Sequence, residues 1–232
     1  LGLCLERRCN GDAVLGSPWC DEIRGRGAAM KRPSKFFDAC RAGIMGPTLD
    51  NDEVSGANAI LEAMLGLPVA WTAYALATAW HETAHTLQPI KEYGGDRYFT
   101  RMYDITGARP SLAKSMGNTT AGDGPKYCGR GYVQLTWKSN YAKAGQKLGV
   151  DLVGNPGLAM DRNIAAGILR HGMREGWFTG KSFQSYLPAA GLATKDQFTA
   201  ARRIINGTDK ASLIAGYAMQ FQAALVAGEW ET

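Results

Sequence analysis

An apolar run from Leu65 to Trp80, with Pro89 a short way beyond it, constrains the fold more than any other stretch of this 232-residue chain. Pro68 suits the first turn of a helix that runs through Trp71, Tyr74, Ala75, Leu76 and Trp80 to His85. Pro89 bars its continuation. Ala73, Ala75, Ala77 and Ala79 leave the helix without a polar face, so it is expected to be buried nearly all round. It contains Pro68, Thr72 and Thr78 and falls short of the roughly 20 apolar residues that cross a bilayer, so a core helix is expected and no membrane partner.

A helix buried on every side needs others around it, and the remaining sequence supplies them. Ser34 is expected to cap a helix carrying Phe36, Phe37, Cys40 and Ile44. Asp50 or Asp52 caps a second, with Val54, Ile60, Leu61, Met64 and Leu65. Further helical patterns cover about 138–148, 161–177, 194–205 and 209–227, with Asp161 and Thr194 as caps. Residues 91–131 are rich in glycine and read as a long loop, and a loop of that length in a compact domain is usually functional. Tyr132–Leu135 reads as a short strand.

Residues 1–29 differ in composition, being rich in Gly, Arg and Cys without a sustained period. They are expected to be an N-terminal extension, with a single domain over residues 30–232. Five cysteines, three of them in the first 20 residues, do not make the framework of a disulfide-rich secreted domain. Cys4, Cys9 and Cys20 fit no common zinc spacing. The charge of +5 favours an anionic surface such as a wall polymer without identifying one, and no nucleic-acid partner is expected. No apolar segment follows Glu6, Arg7 and Arg8, so no classical signal peptide is expected.

The chemistry centres on Trp80-His81-Glu82-Thr83-Ala84-His85. Two histidines four apart on a helix can share a zinc ion while the glutamate between them activates water, which is the pattern of a zinc peptidase. A third ligand is not evident, since Leu87-Gln88-Pro89 follows and His171 is the one other histidine. The alternative is glycoside hydrolysis by two carboxylates, one an acid for the leaving oxygen and one a base for water, roughly 6.5–9.5 Å apart in inverting enzymes. Glu82, at the end of a buried helix, suits the acid. Glu92, beyond the Pro89 break in Lys91-Glu92-Tyr93-Gly94-Gly95, suits a hydrated base, with Asp123 in reserve. Gln134 and Thr136 would share one face of a strand with Tyr132, suiting a polyhydroxyl substrate. Arg202-Arg203 reads as a solvated face, and Arg130 either as a substrate contact or as a loop tie.

His81-Glu82-Thr83, Gly129-Arg130-Gly131 with Gln134-Leu135-Thr136, Asn140-Tyr141, and Ile204-Ile205-Asn206-Gly207 occur in the order of a known family. Over about residues 54–229 the chain resembles glycoside hydrolase family 19, the plant-type chitinases and many bacteriophage lysozymes. The stretch 148–156 looks most like the phage members. The resemblance implies Glu82 as general acid, Glu92 as general base and Thr136 as a hydroxyl that holds the attacking water. It implies Gln134, Asn140, Tyr141 and Asn206 along the sugar cleft, and His81 as a hydrogen-bond partner beside the acid. Where the plant members carry an arginine in the last helix, Asp209–Tyr217 has none.

The expected fold is therefore mainly α, a lysozyme-like helical domain of two lobes with a small β element near 127–136 and the cleft between the lobes. The expected activity is metal-free, cofactor-free inverting hydrolysis of β-1,4 bonds in peptidoglycan, with chitin oligosaccharide as the second choice of substrate. A monomer is expected, released from a phage-infected cytoplasm to the wall or acting outside the cell.

Overall fold

The computed structural model describes Trp19 and residues 30–231. The expected extension thus lies, Trp19 apart, outside the described residues. Helices dominate: α1 (Pro33–Ala42), α2 (Asn51–Ala63), α3 (Val69–Glu82), α4 (Asp96–Tyr103), α5 (Pro110–Ser115), α6 (Asp123–Lys126), α7 (Lys138–Leu148), α8 (Arg162–Glu175), α9 (Lys195–Ala201) and α10 (Ala211–Ala227). Two short strands, β1 (Ile90–Lys91) and β2 (Arg130–Gly131), form an antiparallel pair, with Ile90 opposite Gly131 and Lys91 opposite Arg130. The mainly helical fold with a small β element is as the sequence implies. No helix among the described residues is long and apolar enough to cross a membrane.

The chain divides into two compact units, and the division falls within α8. One unit holds residues 30–88 and 169–231 of the described chain. Its core is α3, in which every residue from Ala70 to Trp80 is buried. The alanines let neighbouring helices approach closely, and α10 packs on α3, α9 and α1. Trp71 stacks on Phe183 at 5.2 Å between ring centroids and Tyr74 on Phe198 at 6.2 Å. Burying a side chain of the size of Leu76 contributes about 1.5–3 kcal/mol, so this helix supplies much of the unit's stability. The caps are local. The Asp50 carboxylate accepts from Glu53 N at 2.7 Å, and the Glu53 carboxylate accepts from Asp50 N at 2.9 Å, closing a capping box on α2. At the other end of α2 the buried Arg170 donates to Ala63 O at 2.6 Å and Leu65 O at 3.1 Å, satisfying carbonyls that a helix C-terminus leaves free. Thr194 caps α9 with Gln197. Ser34 does not cap α1; the helix starts one residue earlier at Pro33, whose fixed φ suits that position.

The other unit holds Trp19 and residues 89–168. Here the expectation of a long loop over 91–131 is corrected, because α4, α5 and α6 all lie within it. They are 8, 6 and 4 residues long, too short for an apolar period to stand out between glycines. The packing of α4 on α6 is held by Asp104, which is 1 % exposed. Its Oδ2 accepts from Gly122 N at 2.8 Å and Gly124 N at 2.9 Å, and its Oδ1 from Thr106 N and Oγ1. Burial pushes the Asp104 carboxyl up, but these four hydrogen bonds outweigh it and hold the group below the usual carboxylate range. A Cβ at Gly124 would lie 2.8 Å from both Phe99 O and Asp104 N, so only glycine permits this approach. The strand expected at 132–135 is also corrected. Those residues form a turn closed by Arg130 and Leu135, each donating its N–H to the other's carbonyl.

Candidate active-site residues

Glu82 is the last residue of α3. The helix stops there because the Thr83 hydroxyl donates back to Ala79 O at 2.8 Å and accepts from Leu87 N at 3.0 Å, which draws the chain into a turn. Ala84 and His85 then take φ of +51° and +70°. His81 and His85 therefore do not occupy successive turns of one helix, and the geometry that a His-Glu-x-x-His zinc site requires is not formed. His85 instead stacks on Trp80 at 4.9 Å and stands 3.3 Å from the Tyr217 hydroxyl.

The apolar setting expected for Glu82 is corrected. Its side chain is 23 % exposed, and Oε1 accepts from Arg202 Nη1 at 2.7 Å. Arg202, read from the sequence as part of a solvated face, is 3 % exposed. Its Nε also donates to Asp209 O at 3.0 Å, so the guanidinium is fixed from two sides. The signal that finds it is spacing: Arg202 lies four residues after the fully buried Phe198. His81 is partly buried beside this pair. Burial lowers its tendency to protonate and Arg202 adds to that effect, while Glu82 opposes it, leaving the imidazole below the ordinary histidine range. Asn206 is exposed in the turn after Arg202, its N–H bonded to Arg202 O at 2.9 Å.

Glu92 belongs to the other unit, where it is held at three points. Its Oε1 accepts from the Tyr103 hydroxyl at 2.8 Å and its Oε2 from Gly129 N at 3.1 Å. Its own N–H donates to Gly129 O at 2.9 Å, extending the β1–β2 pairing by one residue. Burial and the bond to the Glu92 carboxylate both keep the Tyr103 phenol protonated far above its usual range. The Tyr103 ring lies edge-on to Trp137 at 5.0 Å and alongside Phe99 at 6.5 Å. Tyr103 carries no sequence signal of its own, because it sits at the end of the short α4, four residues after Phe99.

Asp123 is placed differently. It is 7 % exposed, and its Oδ2 accepts from Thr119 N and Thr120 N, both at 3.1 Å, with Lys138 Nζ at 3.5 Å. These bonds start the short α6 and spend the carboxylate on structure.

The residues of the Gly129–Tyr141 motif divide into two groups. Gln134 and Thr136 are partly exposed, as is Asn140. Gln134, at φ +53°, donates to Ile90 O at 3.0 Å and Gly131 O at 3.2 Å. The Thr136 hydroxyl donates to Gln134 O, and Asn140 Nδ2 to Thr136 O, both at 2.8 Å. Tyr132 and Tyr141 are corrected as sugar contacts, since both are fully buried. Because 132–134 is a turn, Tyr132 does not share a strand face with Gln134 and Thr136. Tyr141 donates to Cys128 O and accepts from Arg130 Nη1, each at 2.9 Å, and burial pushes its phenol up to about 12. Arg130 also donates to Lys126 O and Cys128 O, which settles it as a loop tie.

Residues 71–173 match the family model described as chitinase class I, of glycoside hydrolase family 19. The chain is 32% identical over 131 residues to endochitinase At2g43590 of Arabidopsis thaliana, covering 56% of this chain and 40% of that protein. It is 56% identical over 43 residues to inactive chitinase-like protein 1 of Hevea brasiliensis, covering 18% and 14%. The chain thus spans well under two thirds of the length of the curated relatives it matches. Among solved structures it is similar to a bacterial family 19 chitinase, with a TM-score of 0.50 and 22% identity over 85% of this chain and 95% of that one.

Proposed function

We propose, from the match of residues 71–173 to the glycoside hydrolase family 19 model, that the chain hydrolyses β-1,4 bonds of an N-acetylated aminosugar polymer. Glu82 serves as the acid that protonates the leaving oxygen, and Glu92 as the base that activates water, with Thr136 positioning that water. The reaction inverts the anomeric centre, since water and not the carboxylate is the nucleophile. The observation that carries the reading is the mounting of Glu92: Tyr103 and Gly129 fix both carboxylate oxygens while the side chain remains partly exposed. Asp123 is buried and committed to backbone donors, which favours Glu92 as the base. Gln134, Asn140 and Asn206 are the polar groups proposed to bind sugar hydroxyls and acetamides. Peptidoglycan is the first choice of polymer. Chitin is the second reading, favoured by the chitinase names of the relatives.

The test pairs two substrates with two variants. Clearing of outer-membrane-stripped Gram-negative cells is followed beside hydrolysis of chitin hexasaccharide, each with and without EDTA, and the anomer first formed is read by NMR. Glu82→Gln and Glu92→Gln are each expected to lose a factor of about 10²–10⁴ or more, the usual contribution of acid–base catalysis. Wild-type turnover with retention, or activity lost in EDTA and restored by zinc, overturns the mechanism.

A further inference from the structure

Residues 89–168 carry eleven Lys and Arg against six Asp and Glu, an excess equal to the +5 of the whole chain. Part of that excess is gathered on α4. Arg97 and Arg101 are four apart and therefore lie on one helix face, where two like charges are unfavourable unless a counter-charge joins them. Both are exposed, and neither guanidinium has a hydrogen-bond or ion-pair partner among the described residues. They line one surface hollow with Gly95 and Tyr98, and an adjoining one with Thr100, Thr106, Gly107 and Ala108.

A structural duty for these two arginines is not evident. The carbonyls at the C-terminal end of α4, where a basic residue normally serves, are already taken. Ala108 N donates to Arg101 O at 2.9 Å, Asp104 N to Thr100 O at 3.1 Å, and the Arg109 guanidinium to Met102 O at 2.8 Å. Two exposed rings flank the charges. Tyr93 is 84 % exposed and Tyr98 39 %. The glycine between them packs on the second ring, since a Cβ at Gly94 would come 2.6 Å from Tyr98 Cδ1. The loop that bears Glu92 is thereby seated on α4. Exposed tyrosines offer faces to pyranose rings, and paired guanidinia offer forked donors to carboxylates.

We propose that Tyr93, Arg97, Tyr98 and Arg101 form a binding surface for the carboxylate-bearing peptide stems of peptidoglycan, giving this chain a preference for peptidoglycan over neutral chitin. This rests on the glycosidase reading of Glu92 and names its substrate. Charge complementarity selects the occupant: chitin has no anion to offer Arg97 and Arg101, and every disaccharide of a peptide-substituted glycan has several.

The test compares wild type with the double variant Arg97→Gln, Arg101→Gln. Sedimentation with Gram-negative sacculi at 4 °C measures binding, and chitin hexasaccharide measures hydrolysis without anions. The variant is expected to bind sacculi about fivefold more weakly, the effect of two exposed ion pairs, and to hydrolyse the hexasaccharide as wild type does. Sacculi whose carboxylates are amidated with carbodiimide and ethanolamine are expected to bind both proteins equally weakly. Equal binding of both proteins to native sacculi overturns the proposal. So does an equal loss on the hexasaccharide, which makes the arginines general rather than selective. Tighter binding to teichoic-acid-bearing sacculi, abolished by hydrofluoric acid, overturns it in favour of phosphate. If wild type hydrolyses neither substrate, the glycosidase reading fails while the binding comparison still decides this one.

Discussion

The Arg202 guanidinium stands 2.7 Å from Glu82 Oε1, and it is almost wholly withdrawn from solvent while the carboxylate is not. The pair joins the end of α3 to the turn that follows α9, 120 residues later. Arg202→Ala leaves the carboxylate without its fixed partner and Asp209 O without a donor. A loss of about 2 kcal/mol in stability is expected, in the range for hydrogen bonds to charged groups. A fall in kcat larger than any change in KM is expected with it, because the carboxylate loses its orientation. Arg202→Lys cannot fork to both acceptors and is expected to recover the stability only in part. Urea denaturation and steady-state kinetics on one preparation check both; full activity in Arg202→Ala would separate the pair from catalysis.

Tyr103→Phe removes one hydroxyl and keeps the ring between Phe99 and Trp137. The expected result is a stability change of about 1 kcal/mol, the net worth of one hydrogen bond. Activity is expected to fall about tenfold, equivalent to about 1.4 kcal/mol, if Glu92 is the base proposed above. Activity equal to wild type would show that Gly129 alone suffices to hold Glu92.

Asp123→Asn distinguishes the two candidates for the base. Asparagine keeps one oxygen for Thr119 N and Thr120 N but loses the charge facing Lys138. The folded variant is expected to retain activity within a few-fold and to lose about 1 kcal/mol of stability. A loss as large as that of Glu92→Gln, with the thermal midpoint unchanged, would transfer the base to Asp123.

Stability is expected to fall in acid, and the shifts of Asp104 and His81 give the same sign. Asp104 is held below the usual carboxylate range in the folded chain, so its contribution is complete above a pH of about 4 and is lost as pH falls through its folded value. His81 is held below the ordinary histidine range. Its contribution is complete above a pH of about 6.5 and is lost as pH falls below that, levelling once the folded group also protonates. Thermal midpoints between pH 7 and pH 3 for wild type, His81→Gln and Asp104→Asn check this. The first variant should lose the upper part of the slope and the second the lower part; parallel curves for all three would assign the acid sensitivity elsewhere.

Elements with a strong period or a complete cap were legible in the sequence. The burial of α3 follows from its alanines, and the capping boxes at Asp50 and Thr194 follow from the residue three places on. The segments α4 to α6 are not legible, since they are short, lie between glycines and have no side-chain cap to announce them, whereas the equally short α9 is marked by Thr194 and Gln197. The alternation Tyr132, Gln134, Thr136 imitated a strand, but Gln134 at φ +53° turns the chain, and alternation carries no sign of φ. The partners of the two glutamates were hidden for different reasons. The charge of Arg202 points outward, while its spacing from the buried Phe198 places it inward. Tyr103 is placed by α4, which has no period long enough to read.

Gly129 gives Glu92 both its N–H and its carbonyl, and a Cβ there would lie 3.1 Å from Glu92 Oε2 and 2.8 Å from Gln134 Oε1. Two of the three bonds that anchor the proposed base are therefore made by the main chain of Gly129. An inherited loss of function at this point would not look like the loss of a catalytic group. It would arise when position 129 gained a single methyl, with every acid, amide and hydroxyl of the site still in place in the sequence.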